Sequence, residues 1–168
     1  MNVVNFKTLL LGAMALGGYA LALDNPRTPP LTELIYVNDV DGVPTPTSSF
    51  SQAVVAPNGL VYVACHVAAV PDTHGGEKVL ANATRATSKI MSYLQAILAA
   101  AGSSFAYVLS TTIALTNPSN FAAVNTEYKK FFTTGKYPAR EVIQVAALPK
   151  GATIAISMVA TQIYRDDR

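Results

Sequence analysis

The chain has little charge, little cysteine and little histidine, and each shortage excludes a class of protein. Only 13% of its 168 residues are charged, and the formal net charge is +2. The longest basic run is Lys129-Lys130, so the clustered positive footprint of a nucleic-acid binder is missing. With 51% hydrophobic residues, the chain is also far from a disordered composition, which lacks the apolar surface to offset chain entropy. A single cysteine, Cys65, forbids an intramolecular disulfide, so stability must come from a packed core. Two histidines, His66 and His74, argue against a metal centre, which draws on several such donors.

The first two dozen residues differ from the rest. Lys7 supplies a positive charge, no acid precedes it, and an apolar run extends from Leu9 to Ala22. That run matches a secretory h-region and is shorter than the roughly 20 residues needed to span a bilayer. Ala20-Leu21-Ala22 has the small-x-small form of a signal-peptidase site. Residues 1–22 are therefore read as a signal peptide cleaved after Ala22. The mature chain, 23–168, is then free of the membrane and is secreted or held in a secretory-pathway lumen. An uncleaved membrane anchor and an artefactual gene start are the competing readings. Asn82-Ala83-Thr84 is a glycosylation sequon lying in a helical pattern, whereas Asn117-Pro118-Ser119 is disqualified by its proline.

The mature length suits one domain, at about 150 residues each. Short strands are expected over 34–37 and 50–55, and a third over 60–67 follows the turn signal Pro57-Asn58-Gly59. Residues 71–76 read as a loop. From Leu80 the apolar period becomes helical through Ala83, Thr87, Met91, Leu94 and Leu98 to Ala101, and Gly102 closes the run as a helix-terminating glycine does. A strand over 108–115 follows. Asn117-Pro118 opens a second helix marked by Phe121, Val124, Tyr128 and Phe131. Strands over 141–148 and 153–164 are expected to form a hairpin about Pro149-Lys150-Gly151. This order predicts an α+β domain with an open sheet and both helices on one face. The last strand is apolar on both sides: Ile154, Ile156, Met158 and Ala160 on one, Ala155 and Val159 on the other. A strand of that kind should be buried on both, and a second copy of the chain is the expected cover.

Five segments, in order, resemble the reactive-intermediate deaminase (Rid, YjgF or RutC) family. They are Phe50-Ser51-Gln52-Ala53, Leu60-Val61-Tyr62-Val63, Ala101-Gly102-Ser103-Ser104, the stretch from Asn120 to Tyr128, and Pro138-Ala139-Arg140 followed by Leu148-Pro149-Lys150-Gly151-Ala152. The resemblance covers roughly residues 32–161. It implies a chorismate-mutase-like (YjgF-type) fold, a homotrimer, and ligand sites in the clefts between subunits. It also implies hydrolytic deamination of small imino or enamine acids without metal or cofactor. Arg140 would clamp the substrate carboxylate through a bidentate fork that lysine lacks; an ordinary ion pair with a nearby acid is the alternative. Phe50, Ala64, Val142 and Asn125 fall at other positions that the resemblance places around the ligand.

At several of these positions the chain departs from the family. The last-strand pattern V-E-I-E-A-I-A corresponds here to Ile154-Ala155-Ile156-Ser157-Met158-Val159-Ala160, so the glutamate that holds the attacking water is Ala155. The tyrosine before S-Q-A is Phe50, the S-G-Q segment is Ala64-Cys65-His66, and a position often held by cysteine is Val142. His66 is the one new group there able to titrate near neutral pH, either as a replacement acid/base or as a structural hydrogen-bonder. Two functions follow: a Rid-like enzyme on a small carboxylic-acid intermediate, performing deamination or a variant tailoring reaction, or a trimer that binds such a ligand without turnover.

Overall fold

A computed structural model of the protein describes residues 33–46, 49–72 and 76–163. The expected leader, His74 and the expected strand end at Tyr164 lie outside the described residues. In chain order the strands are β1 (Ile35–Val37), β2 (Ala53–Val55), β3 (Leu60–Val67), β4 (Ala69–Pro71), β5 (Glu77–Val79), β6 (Val108–Leu115), β7 (Ala139–Gln144) and β8 (Ile154–Thr161). The helices are α1 (Ala83–Ala100) and α2 (Phe121–Tyr128). Six strands form one mixed sheet in the order β1-β2-β3-β8-β6-β7, and β4 and β5 form a separate ribbon. Among the described residues no helix is long and apolar enough to cross a membrane.

The strongest local signals become the central elements. β3 and β6 span the expected residues, with Val61, Val63, Ile113 and Leu115 buried in the core. Gly59 turns the β2–β3 hairpin at φ 79°, and its N–H donates to the Ala56 carbonyl at 2.9 Å. Helix α1 buries Ile90, Met91, Leu94, Ile97 and Leu98 against β3 and β8. Its end is a Schellman motif: Gly102 at φ 72° donates to the Ala99 carbonyl at 3.0 Å, and Ser103 donates to Leu98 at 2.7 Å. Helix α2 packs beside α1 on the same face, with Val124 and Tyr128 in the shared core.

Four expectations are corrected. α1 starts after Asn82 and not at Leu80, because the Asn82 side chain caps the Arg85 N–H at 3.0 Å; the Leu80 N–H bonds Ala68 instead. The strand expected over 50–55 begins only at Ala53. Gln52 is fully buried, and its side chain accepts from the Val40 N–H at 2.9 Å and donates to the Pro44 carbonyl at 3.1 Å. It is spent on holding the 40–44 loop. The 71–76 loop is flanked by the β4–β5 ribbon, too short a pairing for periodicity to reveal.

The largest correction concerns the expected final hairpin. β7 runs parallel to β6, with Arg140 opposite Thr111, and β8 lies antiparallel between β3 and β6. The physical reason lies in side-chain polarity. β8 is apolar on both sides and takes the middle of the sheet, where Ile154, Ala155, Ile156, Met158 and Ala160 are buried. β7 carries Arg140, Glu141 and Gln144, all exposed, and such a strand belongs at an edge. Helix α2 is thus the crossover that parallel pairing requires.

Candidate carboxylate-binding site at the β7 edge

Arg140 leaves β7 toward α2. Its Nη1 donates to Asn125 Oδ1 at 2.8 Å. The guanidinium carbon lies 5.0 Å from the centre of the Tyr128 ring and 5.9 Å from that of Phe121, within cation–π range. Phe121, Asn125 and Tyr128 are spaced four and three residues apart along α2, which places them on one helical face. Tyr128 is itself fixed: its hydroxyl meets Thr111 Oγ1 at 3.0 Å, and Phe132 packs on its ring at 4.8 Å. Burial pushes the Tyr128 phenol above its ordinary pKa, against the opposing effects of the Thr111 hydrogen bond and the Arg140 charge. The platform is therefore neutral at physiological pH. Arg140 is exposed, so the guanidinium donors not engaged by Asn125 are open to a ligand. Val142 follows on the same side of β7 and packs against the core.

The neighbouring acids are engaged elsewhere. Glu141 points to the opposite face, where Thr112 Oγ1 donates to it at 2.9 Å. Glu127 pairs with Lys130 at 2.5 Å.

The other site residues expected from sequence gather at the far side of the sheet. Phe50 is 49% exposed and lines a broad surface cleft of about 610 Å³ with Tyr36, Asn38, Asp39 and Val54. Ala64 sits in the β-bulge between Val63 and His66, and its N–H donates to the Gln52 carbonyl at 3.0 Å. His66 is buried and its Nε2 has no partner among the described residues. Desolvation lowers its pKa below the usual imidazole value, against a hydrogen bond with the Gln52 backbone that favours the charged ring. Cys65 is exposed while His66 is buried, so the two do not form a nucleophile–base pair.

Adjacent strands lie about 4.8 Å apart, so β3 and β7, separated by β8 and β6, stand roughly 14 Å from each other. One chain therefore brings Arg140, Asn125 and Val142 together and keeps Phe50, Ala64 and His66 apart from them. Ala155 is buried on the face away from the helices, with Ala114 paired beside it and Ile143 one strand further. That surrounding is apolar and holds no side chain able to orient water. Among the described residues no group of three or more His, Cys, Asp or Glu is placed to hold a metal ion. Phe121 and Tyr128 were legible in the sequence only as a helix stripe; their spacing from Asn125 was the available clue to the platform.

The endoribonuclease L-PSP family model matches residues 42–162. The chain is 36% identical over 121 residues to protein DfrA of Myxococcus xanthus, covering 71% of this chain and 90% of that protein. It is 36% identical over 119 residues to the 2-iminobutanoate/2-iminopropanoate deaminase of Rattus norvegicus, covering 71% and 84%. Similarity to the chloroplastic Reactive Intermediate Deaminase A of Arabidopsis thaliana is 31% over 159 residues, covering 90% and 83%. Among solved structures, the Rid-family protein YyfA from Yersinia pestis superposes with a TM-score of 0.70 at 30% identity, covering 77% of this chain and 99% of that one. The E. coli TdcF structure with bound serine gives 0.67 at 26%, covering 76% and 98%. The chain belongs to the endoribonuclease L-PSP family, which is the Rid, YjgF and RutC family.

Proposed function

We propose that the protein binds a small 2-imino, enamine or related carbonyl acid through Arg140 and hydrolyses it or carries out a variant of that reaction. The observation that carries this reading is the Arg140 fork, held from one side by Asn125 and backed by the Tyr128 and Phe121 rings. A guanidinium fixed in this way loses little freedom on binding and offers two parallel charge-assisted hydrogen bonds to a planar carboxylate. Relatives named as imine deaminases support the same chemistry. The low, unclustered charge favours a small acid over a nucleic acid.

The complete site is a cleft between copies of the chain, in a homotrimer. The separation of Arg140 from Phe50, Ala64 and His66 across the sheet supports this. So does the face turned away from the helices, where Tyr36, Val54, Tyr62 and Val159 form one row, with Tyr36 62% and Tyr62 49% exposed. The leader read in residues 1–22 places the working protein in a secretory lumen or outside the cell.

A second reading, ligand binding without turnover, is favoured by one observation: Ala155 and its neighbours Ala114 and Ile143 hold no acceptor for water. One experiment separates the two. Residues 23–168 are purified, their trimer mass is checked, and 2-imino acids are generated in situ with an amino-acid oxidase. Accelerated keto-acid release that disappears in Arg140→Ala establishes the enzyme. Calorimetric binding of 2-keto acids without acceleration establishes the binding protein, and neither outcome in a folded trimer overturns both.

A further inference from the structure

The sequon at Asn82-Ala83-Thr84 has no part in the carboxylate site, and the fold explains only half of it. Asn82 caps α1, a role for which asparagine is well suited. Capping makes no demand on Thr84, which is exposed, forms no hydrogen bond among the described residues and contributes nothing to the core. The position where a capping box would place a glutamate is Arg85. The threonine is thus surplus to the helix.

Asn82 is exposed, with an extended backbone at φ −71° and ψ 121°. The two ends of its amide are divided between tasks. Oδ1 accepts the Arg85 N–H at 3.0 Å, while Nδ2 donates to no group among the described residues. A substituent on Nδ2 would leave the cap intact. α1 packs on the helix-covered side of the sheet, opposite the face that a second copy would cover, so a bulky group there does not compete with assembly.

We propose that Asn82 is an N-glycosylation site, occupied as the chain passes through a eukaryotic-type secretory compartment; this rests on the leader read in residues 1–22. In the transfer, Nδ2 attacks the anomeric carbon of a polyprenyl-pyrophosphate-linked oligosaccharide. The new C–N bond forms as the C–O bond to pyrophosphate breaks, Nδ2 gives up one proton, and the polyprenyl pyrophosphate leaves. Oδ1 keeps its hydrogen bond throughout.

The test is expression of the full chain, with its own N-terminus, in cultured insect cells. Medium and cytosol are then analysed by mass spectrometry before and after treatment with a peptide N-glycosidase. The expected result is a secreted form heavier by one oligosaccharide that collapses on treatment, leaving aspartate at position 82. Thr84→Ala abolishes the shift and Thr84→Ser retains it. Both variants keep the Asn82 cap, so both melt with the parent once deglycosylated. Secreted protein without the shift overturns the glycosylation while the leader reading stands. Protein confined to the cytosol overturns both.

Discussion

The two edges of the main sheet carry opposite kinds of surface. At β7, polar groups are exposed and ordered: Arg140 is held by Asn125 and stacked on two rings, and Glu141 is bound by Thr112. At the β1–β2–β3 end the order is reversed. Polar groups are drawn inward, with Gln52 and His66 buried, while Phe50, Tyr36 and Tyr62 are exposed. The β7 edge is built to recognise an anion. The other end is built to present apolar surface, and the side chains there that resemble a family site lack the hydroxyls and carboxylate that move water. Recognition and proton chemistry are thus separable, and this chain has kept the first in full.

The most damaging change to the β7 edge is Arg140→Ala. It removes two charge-assisted hydrogen bonds worth about 1.5–3 kcal/mol each, so the Kd for a 2-keto acid, read by calorimetry, should rise on the order of 100-fold or more. Arg140→Lys should recover only part of this, because charge returns without the fork.

At the opposite end, Gln52→Leu strands the Val40 N–H and the Pro44 carbonyl, each costing about 1–3 kcal/mol if left unsatisfied. Stability by urea denaturation should fall by roughly 2–4 kcal/mol, while ligand affinity measured under folding conditions changes little. If affinity fell as steeply as in Arg140→Ala, the two edges would not be independent.

Asn125→Ala leaves the guanidinium stacked but unanchored on one side. Loss of one such bond, about 1 kcal/mol, predicts a roughly five-fold weaker Kd. An unchanged Kd would show that the rings alone orient Arg140.

The smallest effect is a pH dependence from His66. Its folded-state pKa lies below the ordinary imidazole value because it is desolvated, so the unfolded chain takes up the proton first as pH falls. The contribution to stability is complete above about pH 6.5 and declines as pH drops toward the folded-state pKa. His66→Gln should flatten the urea midpoint across that window; a slope that persisted would assign it to another group.

Several elements were legible before any tertiary information. β3 and β6 coincide with the expected 60–67 and 108–115 because β-branched and apolar residues run without interruption between turn signals. The end of α1 was legible because Gly102 adopts φ 72°, a conformation cheap only for glycine. The candidate site was half legible. Pro138-Ala139-Arg140 singled out the arginine, but Thr111, seventeen residues from Tyr128 in sequence, meets it only through folding.

What the sequence by itself determined is local: where the chain bends into helix or strand, which side of each element is apolar, and which family's motifs it carries. The order of strands was decided only by tertiary structure. The alternation of β7 and β8 fits a hairpin between them as well as it fits the observed pairing, because periodicity records which faces need burial and not which neighbour buries them. Competition for the centre of the sheet settled the matter. The strand apolar on both sides displaced the polar one to the edge, and that displacement carried Arg140 to the platform on α2.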